Sequence, residues 1–139
     1  MTSKEFCAKH TQYIFSTESI SRRPDKDPSD KWGSDHWLCT IAGIKCSGAF
    51  PFSFYYSKGI GCRKNGTSFA PTLPEALECL ASDCAAIDQP FEDWAGDYGY
   101  DVDSRKAEKM YRTIQDQANA LRKLFGAAVY ADFLEIREE

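Results

Sequence analysis

Forty consecutive residues, 65–104, contain no lysine or arginine, although the chain of 139 residues carries 17 of them. The same stretch holds Glu75, Glu78, Asp83, Asp88, Glu92, Asp93, Asp97, Asp101 and Asp103, so it presents negative charge wherever it meets solvent. With a formal net charge of −4, most of the surface is expected to repel phosphate. Only two histidines, His10 and His36, can act as bases near neutral pH, and neither sits in a catalytic motif. The six cysteines include no C-x-x-C pair, which removes the strongest zinc signature. No window approaches the roughly 20 apolar residues of a membrane span, and MTSKEFCAKH lacks the apolar run of a signal peptide. The reading is a soluble protein of the bacterial cytoplasm. There is no repeat and no low-complexity tract.

What is present suits one domain, 1–139, with a core built from few, large side chains: aromatics make up 14% of the sequence. In a reducing compartment Cys7, Cys39, Cys46, Cys62, Cys79 and Cys84 read as packed free thiols. Cys79 and Cys84 are five apart on an expected helix, which turns the second side chain away from the first. Cys39 and Cys46 can oppose each other across a hairpin, with Cys62 or His36 nearby, but the expected state is metal-free.

The first half reads as strand, loop and hairpin. Thr11–Ser21 is rich in β-branched and aromatic residues and predicts a strand, and the polar, turn-forming residues from Pro24 to Gly33 predict a mobile loop over about 24–35. Trp37, Cys39 and Ile41 alternate with Leu38 and Thr40; Gly43 to Lys45 can turn the chain; Phe50, Phe52 and Phe54 share one parity of a return strand reaching about residue 56. Pro51 places that strand at an edge or a bulge.

The second half reads as helical. Thr72 and Glu75 form a capping-box pair around Pro74, ahead of a helix over about 73–87 with Leu73, Ala76, Leu77, Leu80, Cys84 and Ile87 on one stripe. Pro90 opens a short helix over about 90–98 that carries Phe91, Trp94, Ala95 and Tyr98 on one face. A long helix follows over about 104–125, with Asp101 and Asp103 placed to cap its first turn and Tyr111, Ile114 and Leu121 directed at the sheet. Gly126 stops it, and a last helix over about 127–136 folds back on the core. The fold class is α+β: a small antiparallel sheet from the N-terminal half packed against three to four C-terminal helices.

No catalytic constellation emerges, and the chain reads as non-enzymatic and without cofactor. His36 at a strand start is expected to be structural, and the adjacency of Ser34, Asp35 and His36 is not how a triad is assembled. Asp101–Arg105 lacks the spacing and terminal Glu of a calcium loop. Two surfaces remain. Glu92, Asp93, Asp97 and Asp101 form an acidic candidate for protein binding, because carboxylates can imitate the phosphates that a nucleic-acid-handling partner expects. Arg105, Lys106, Lys109 and Arg112, in the first two turns of the long helix, form a basic candidate for DNA or RNA.

The string Gly99–Gly126, of the form GYDxDSRKAExxYRxxxxQxxxLRxLFG, joins the pairs His36–Trp37 and Pro51–Phe52 to give the chain a recognisable profile from about Trp37 to Phe125. This profile resembles a family of small proteins of unassigned function encoded by bacteriophages, prophages and plasmids. In origin and size such proteins are similar to those that phages use against CRISPR or restriction nucleases. The resemblance implies an anti-CRISPR-like or other anti-defence protein, whose partner would be a host protein or ribonucleoprotein defence complex.

Overall fold

The computed structural model describes residues 1–13, 20–22, 37–48, 55 and 71–137. Among them the order is α1 (Ser3–Lys9), β1 (Ile20–Arg22), β2 (Trp37–Ile41), β3 (Ile44–Ser47), α2 (Leu73–Ala86), α3 (Phe91–Asp97) and α4 (Arg105–Leu134). The class is α+β, as the residue pattern predicts. The sheet is antiparallel in the order β1-β2-β3. Strand β2 buries Trp37, Cys39 and Ile41 and leaves Leu38 and Thr40 half-buried, the period-two pattern of a strand with one face on a core. The expected loop 24–35, the aromatic parity of Phe50–Phe54, Pro51 and Cys62 lie outside the described residues.

The hairpin between β2 and β3 turns tighter than the sequence suggests. Ala42 and Gly43 both have positive φ (48° and 89°), which gives the two-residue turn whose twist matches that of the strands. The return strand therefore starts at Ile44, inside the stretch expected to turn. Strand β3 presents Ser47 to α4, where Gln117 accepts the Ser47 N–H at 2.8 Å and donates to the Ser47 carbonyl at 3.1 Å. One side-chain amide thus supplies both bonds that a further strand would make there.

The N-terminus corrects the sequence reading. Thr11–Tyr13, the start of the strand expected over Thr11–Ser21, is a turn after α1, and Ile20 and Ser21 at its end belong to strand Ile20–Arg22; residues 14–19 lie outside the described residues. Helix α1 follows from a cap in which the Thr2 hydroxyl accepts the Glu5 N–H at 3.2 Å. It buries Phe6 against Phe125 and Phe133, so the chain's two ends share one apolar cluster. His10 Nε2 and Lys9 Nζ each reach Asp132 Oδ2 at 2.9 Å, and the Arg137 N–H donates to the Met1 carbonyl at 2.8 Å. The β propensity of Tyr13 is overridden by a long-range task. Its hydroxyl is shared between the carbonyls of Leu124 and Phe125 at 3.3 and 3.4 Å, where α4 breaks and its last carbonyls lose helical partners.

The helices begin close to their expected starts. Glu75 Oε1 accepts both the Thr72 N–H and the Thr72 hydroxyl at the head of α2. The N-cap of α4 is Ser104, whose Oγ accepts the Ala107 N–H at 3.2 Å; Asp103 does not take that place. Asp101 acts one turn earlier, where its Oδ1 accepts the Asp103 N–H at 3.0 Å. Within α4 the backbone leaves the helical region at Gly126 (φ 80°, ψ 167°), so the expected stop is a kink between two arms. The first arm buries Ala107, Ile114, Ala118, Leu121 and Phe125, and the second buries Tyr130 and Phe133. Packing of α4 is chiefly against α2 and less against β3. Tyr111 faces α3 rather than the sheet, donating to the Gln89 carbonyl at 2.6 Å and packing edge-on against Phe91.

Candidate partner-binding surface

Helix α3 is held by its aromatic face. Trp94 is 1% exposed and packs against Tyr98, Tyr100 and Tyr111, with the Tyr100 ring parallel to the indole within 10°. Burying Trp94 and Ala95 and half-burying Phe91 and Tyr98 leaves 92, 93, 96 and 97 outward, because seven residues of helix give two full turns with opposite faces. Glu92, Asp93 and Asp97 are therefore exposed, as are Asp88 before the helix and Asp101 and Asp103 after it. Among the described residues none of these six carboxylates forms an ion pair. Val102, 53% exposed, stands between Asp101 and Asp103 on the turn that Asp101 fixes.

The other three carboxylates of the cation-free stretch do not contribute to that surface. Glu75, Glu78 and Asp83 lie on α2 and are buried. Asp83 Oδ2 accepts the Tyr55 hydroxyl at 2.7 Å, a buried hydrogen bond between residues 28 positions apart. Burial, with Asp83 and Asp97 nearby, also pushes the Tyr98 hydroxyl up to about 12. Composition alone gave no way to separate the six outward carboxylates from the three inward ones; the stripe of α2, which already runs through Ala76, Leu77 and Leu80, carries Glu75 and Glu78 beside it.

The basic candidates are exposed as well. Arg105, Lys106, Lys109 and Arg112 all face solvent on the first arm of α4. Arg112 donates to Glu108 Oε1 at 2.6 Å, an i,i+4 pair that takes up part of its charge. A shallow depression along this face is lined by Arg105, Glu108, Lys109, Arg112, Thr113 and Asp116. Arg122, further along, lies over the Tyr130 ring at 5.1 Å.

Among the described residues no three His, Cys, Asp or Glu side chains gather to hold a metal ion. Cys39 and Cys46 do stand opposite each other in the hairpin, both fully buried, and burial pushes each thiol up to about 12. At neutral pH they are neutral thiols without nucleophilic force. Of the two histidines, His36 lies outside the described residues, and His10 is occupied with Asp132 in the clasp between the chain's ends. Among the described residues no helix is long and apolar enough to cross a membrane. No family model matches this sequence, and no curated protein or solved structure is significantly similar to it.

Proposed function

We propose that this chain is a non-enzymatic, phage-type accessory protein that binds and blocks a nucleic-acid-processing defence complex through the acidic face of α3 and the turn behind it. One observation carries this reading: six carboxylates from Asp88 to Asp103 are exposed and form no ion pair among the described residues, and the exposed apolar Val102 stands between the last two. Uncompensated negative charge on an exposed face complements a groove built to hold phosphates, and an exposed apolar side chain beside it offers a contact that excludes water. The aromatic cluster beneath Glu92, Asp93 and Asp97 supports it further, since carboxylates on a rigid base lose little freedom on binding.

The test is a pull-down against CRISPR, restriction and recombination proteins, with Glu92, Asp93 and Asp97 changed together to Lys. The triple variant is expected to melt within about 2 °C of the parent, because exposed charges contribute little to stability. It should lose association with the captured complex by about tenfold or more, with most of the change at low salt. A second reading has its own observation, the exposure of Arg105, Lys106, Lys109 and Arg112 on one helix arm. If the protein captures no such complex but retains DNA or RNA, with a steep salt dependence abolished by Arg105→Glu with Lys109→Glu, nucleic-acid binding replaces inhibition.

A further inference from the structure

The register of the hairpin brings together two thiols that the proposed surface does not use. Strands β2 and β3 pair Cys39 directly with Cys46, through Leu38 with Ser47 on one side and Thr40 with Lys45 on the other. Directly opposed residues of an antiparallel pair have Cα atoms about 4.5–5.5 Å apart. Because Ser47 turns its N–H and carbonyl to Gln117, the neighbouring Cys39–Cys46 is a hydrogen-bonded pair, for which the Cα spacing is about 5.5 Å, inside the roughly 4.4–6.8 Å of a disulfide. Both side chains project from the same face of the sheet, and both are fully buried as free thiols.

We propose that Cys39 and Cys46 are a latent disulfide site, closed by a small-molecule disulfide to staple β2 to β3. The electrons and atoms balance in two exchanges. One cysteine thiolate attacks a sulfur of the oxidant RS–SR, giving a mixed disulfide and releasing RS⁻; the second thiolate attacks the protein sulfur of that mixed disulfide, closing Cys39–Cys46 and releasing the second RS⁻. The oxidant gains two electrons, and the two protons given up by the cysteines end on the two RSH products. Burial keeps both cysteines in the thiol form, so attack begins from a transiently opened hairpin, and re-formation of the register then presents the second sulfur to the first. The staple would fix the strand that Gln117 grips at Ser47, and with it the seat of α4 on the sheet.

Other thiols provide internal comparisons. Cys79 and Cys84 are also buried but lie five apart on α2 and point in different directions, Cys84 is near Cys46 and is its competing partner, and half-buried Cys7 is on α1. Trypsin separates the pair, because Lys31, Lys45 and Lys58 place Cys39 in peptide 32–45 and Cys46 in peptide 46–58, each with no other cysteine. The full chain is incubated in native buffer with glutathione disulfide, acid-quenched, alkylated and digested without reductant. The expected product is peptide 32–45 linked to 46–58, with two fewer alkylated thiols, a mass loss of about 2 Da in the intact chain, and full reversal by dithiothreitol. Cys39 and Cys46 remaining thiols at equilibrium, or either one linked to a different cysteine, would overturn the proposal.

Discussion

Placing a methyl group on Gly48 tests the packing of the sheet more sharply than any core truncation. A Cβ there would stand 2.4 Å from Cζ2, 2.6 Å from Cε2 and 2.9 Å from Nε1 of the Trp37 indole. Reaching an ordinary contact of 3.4 Å requires a displacement of about 1 Å. Neither side can give way easily. Trp37 is 1% exposed and packed beside Tyr55, and the backbone at Ser47 is held through both its polar groups by Gln117. Overpacking of this kind costs about 1–3 kcal/mol, and with both partners pinned Gly48→Ala belongs in the upper half of that range. For a chain of this size, about 2–3 kcal/mol corresponds to a fall of about 7–10 °C in Tm. Urea unfolding followed by far-UV circular dichroism should show a lower midpoint with an unchanged slope. Replacing Trp37 by Phe removes the ring atoms in conflict, so in that background the cost of Gly48→Ala should drop below about 1 kcal/mol. Gly43→Ala serves as the control: nothing lies within 4 Å of its Cβ, but its φ of +89° makes the change cost about 1–2 kcal/mol whatever occupies position 37. A Gly48→Ala cost below about 0.5 kcal/mol, or an equal cost in both backgrounds, would refute the reasoning.

The parts of the fold that were legible in the sequence are those where a local rule and the tertiary packing agree. The Thr72–Glu75 box, the stripe of α2, the alternation of β2 and the break at Gly126 all satisfy short-range requirements that the core also rewards. The misread parts are governed by distant partners. Tyr13 looks like a strand residue but serves the carbonyls of Leu124 and Phe125, and Tyr111 leaves the sheet for Gln89. Helix α1 was legible and unread: Thr2 and Glu5 have the spacing of a capping box, and the Thr2 hydroxyl bonds both the Glu5 N–H and its carboxylate. The string Gly99–Gly126 is dense in structural duties. Asp101 fixes a turn, Ser104 caps a helix, Glu108 pairs with Arg112, Gln117 grips Ser47, and Leu121 fills the core. A motif made of such residues specifies a shape and leaves the chemistry open. The outward carboxylates of α3 were legible from helical phase, since the face of Phe91, Trp94, Ala95 and Tyr98 leaves Glu92, Asp93 and Asp97 on the other side, whereas the burial of Asp83 depends on the distant Tyr55.

Three further outcomes follow from the contacts around α4. Leu121→Ala removes a fully buried side chain between α4 and its neighbours and should cost about 2–5 kcal/mol in urea unfolding, whereas an unchanged midpoint would mean that a different face of the helix is buried. Ser104→Ala should cost about 1 kcal/mol and Asp103→Ala distinctly less, because the serine is the cap; a reversed order in the same assay would return the cap to Asp103. The clasp at Asp132 should make stability acid-sensitive. Its carboxyl is held below the usual 3.8 by hydrogen bonds from Lys9 first and His10 second. A carboxylate whose native pKa is depressed binds fewer protons folded than unfolded, so its contribution is complete above the ordinary carboxylate value and is lost as pH falls through that value toward the lower native one. Comparing melts of the parent chain and Asp132→Asn from about pH 6 down to about pH 2.5 isolates this effect, since every other carboxylate titrates in both. The parent should start with the higher Tm and lose that advantage below the usual carboxylate range. Parallel pH curves for the two proteins would show that Asp132 does not hold the ends of the chain together, and that the apolar contacts of Phe6 with Phe125 and Phe133 suffice.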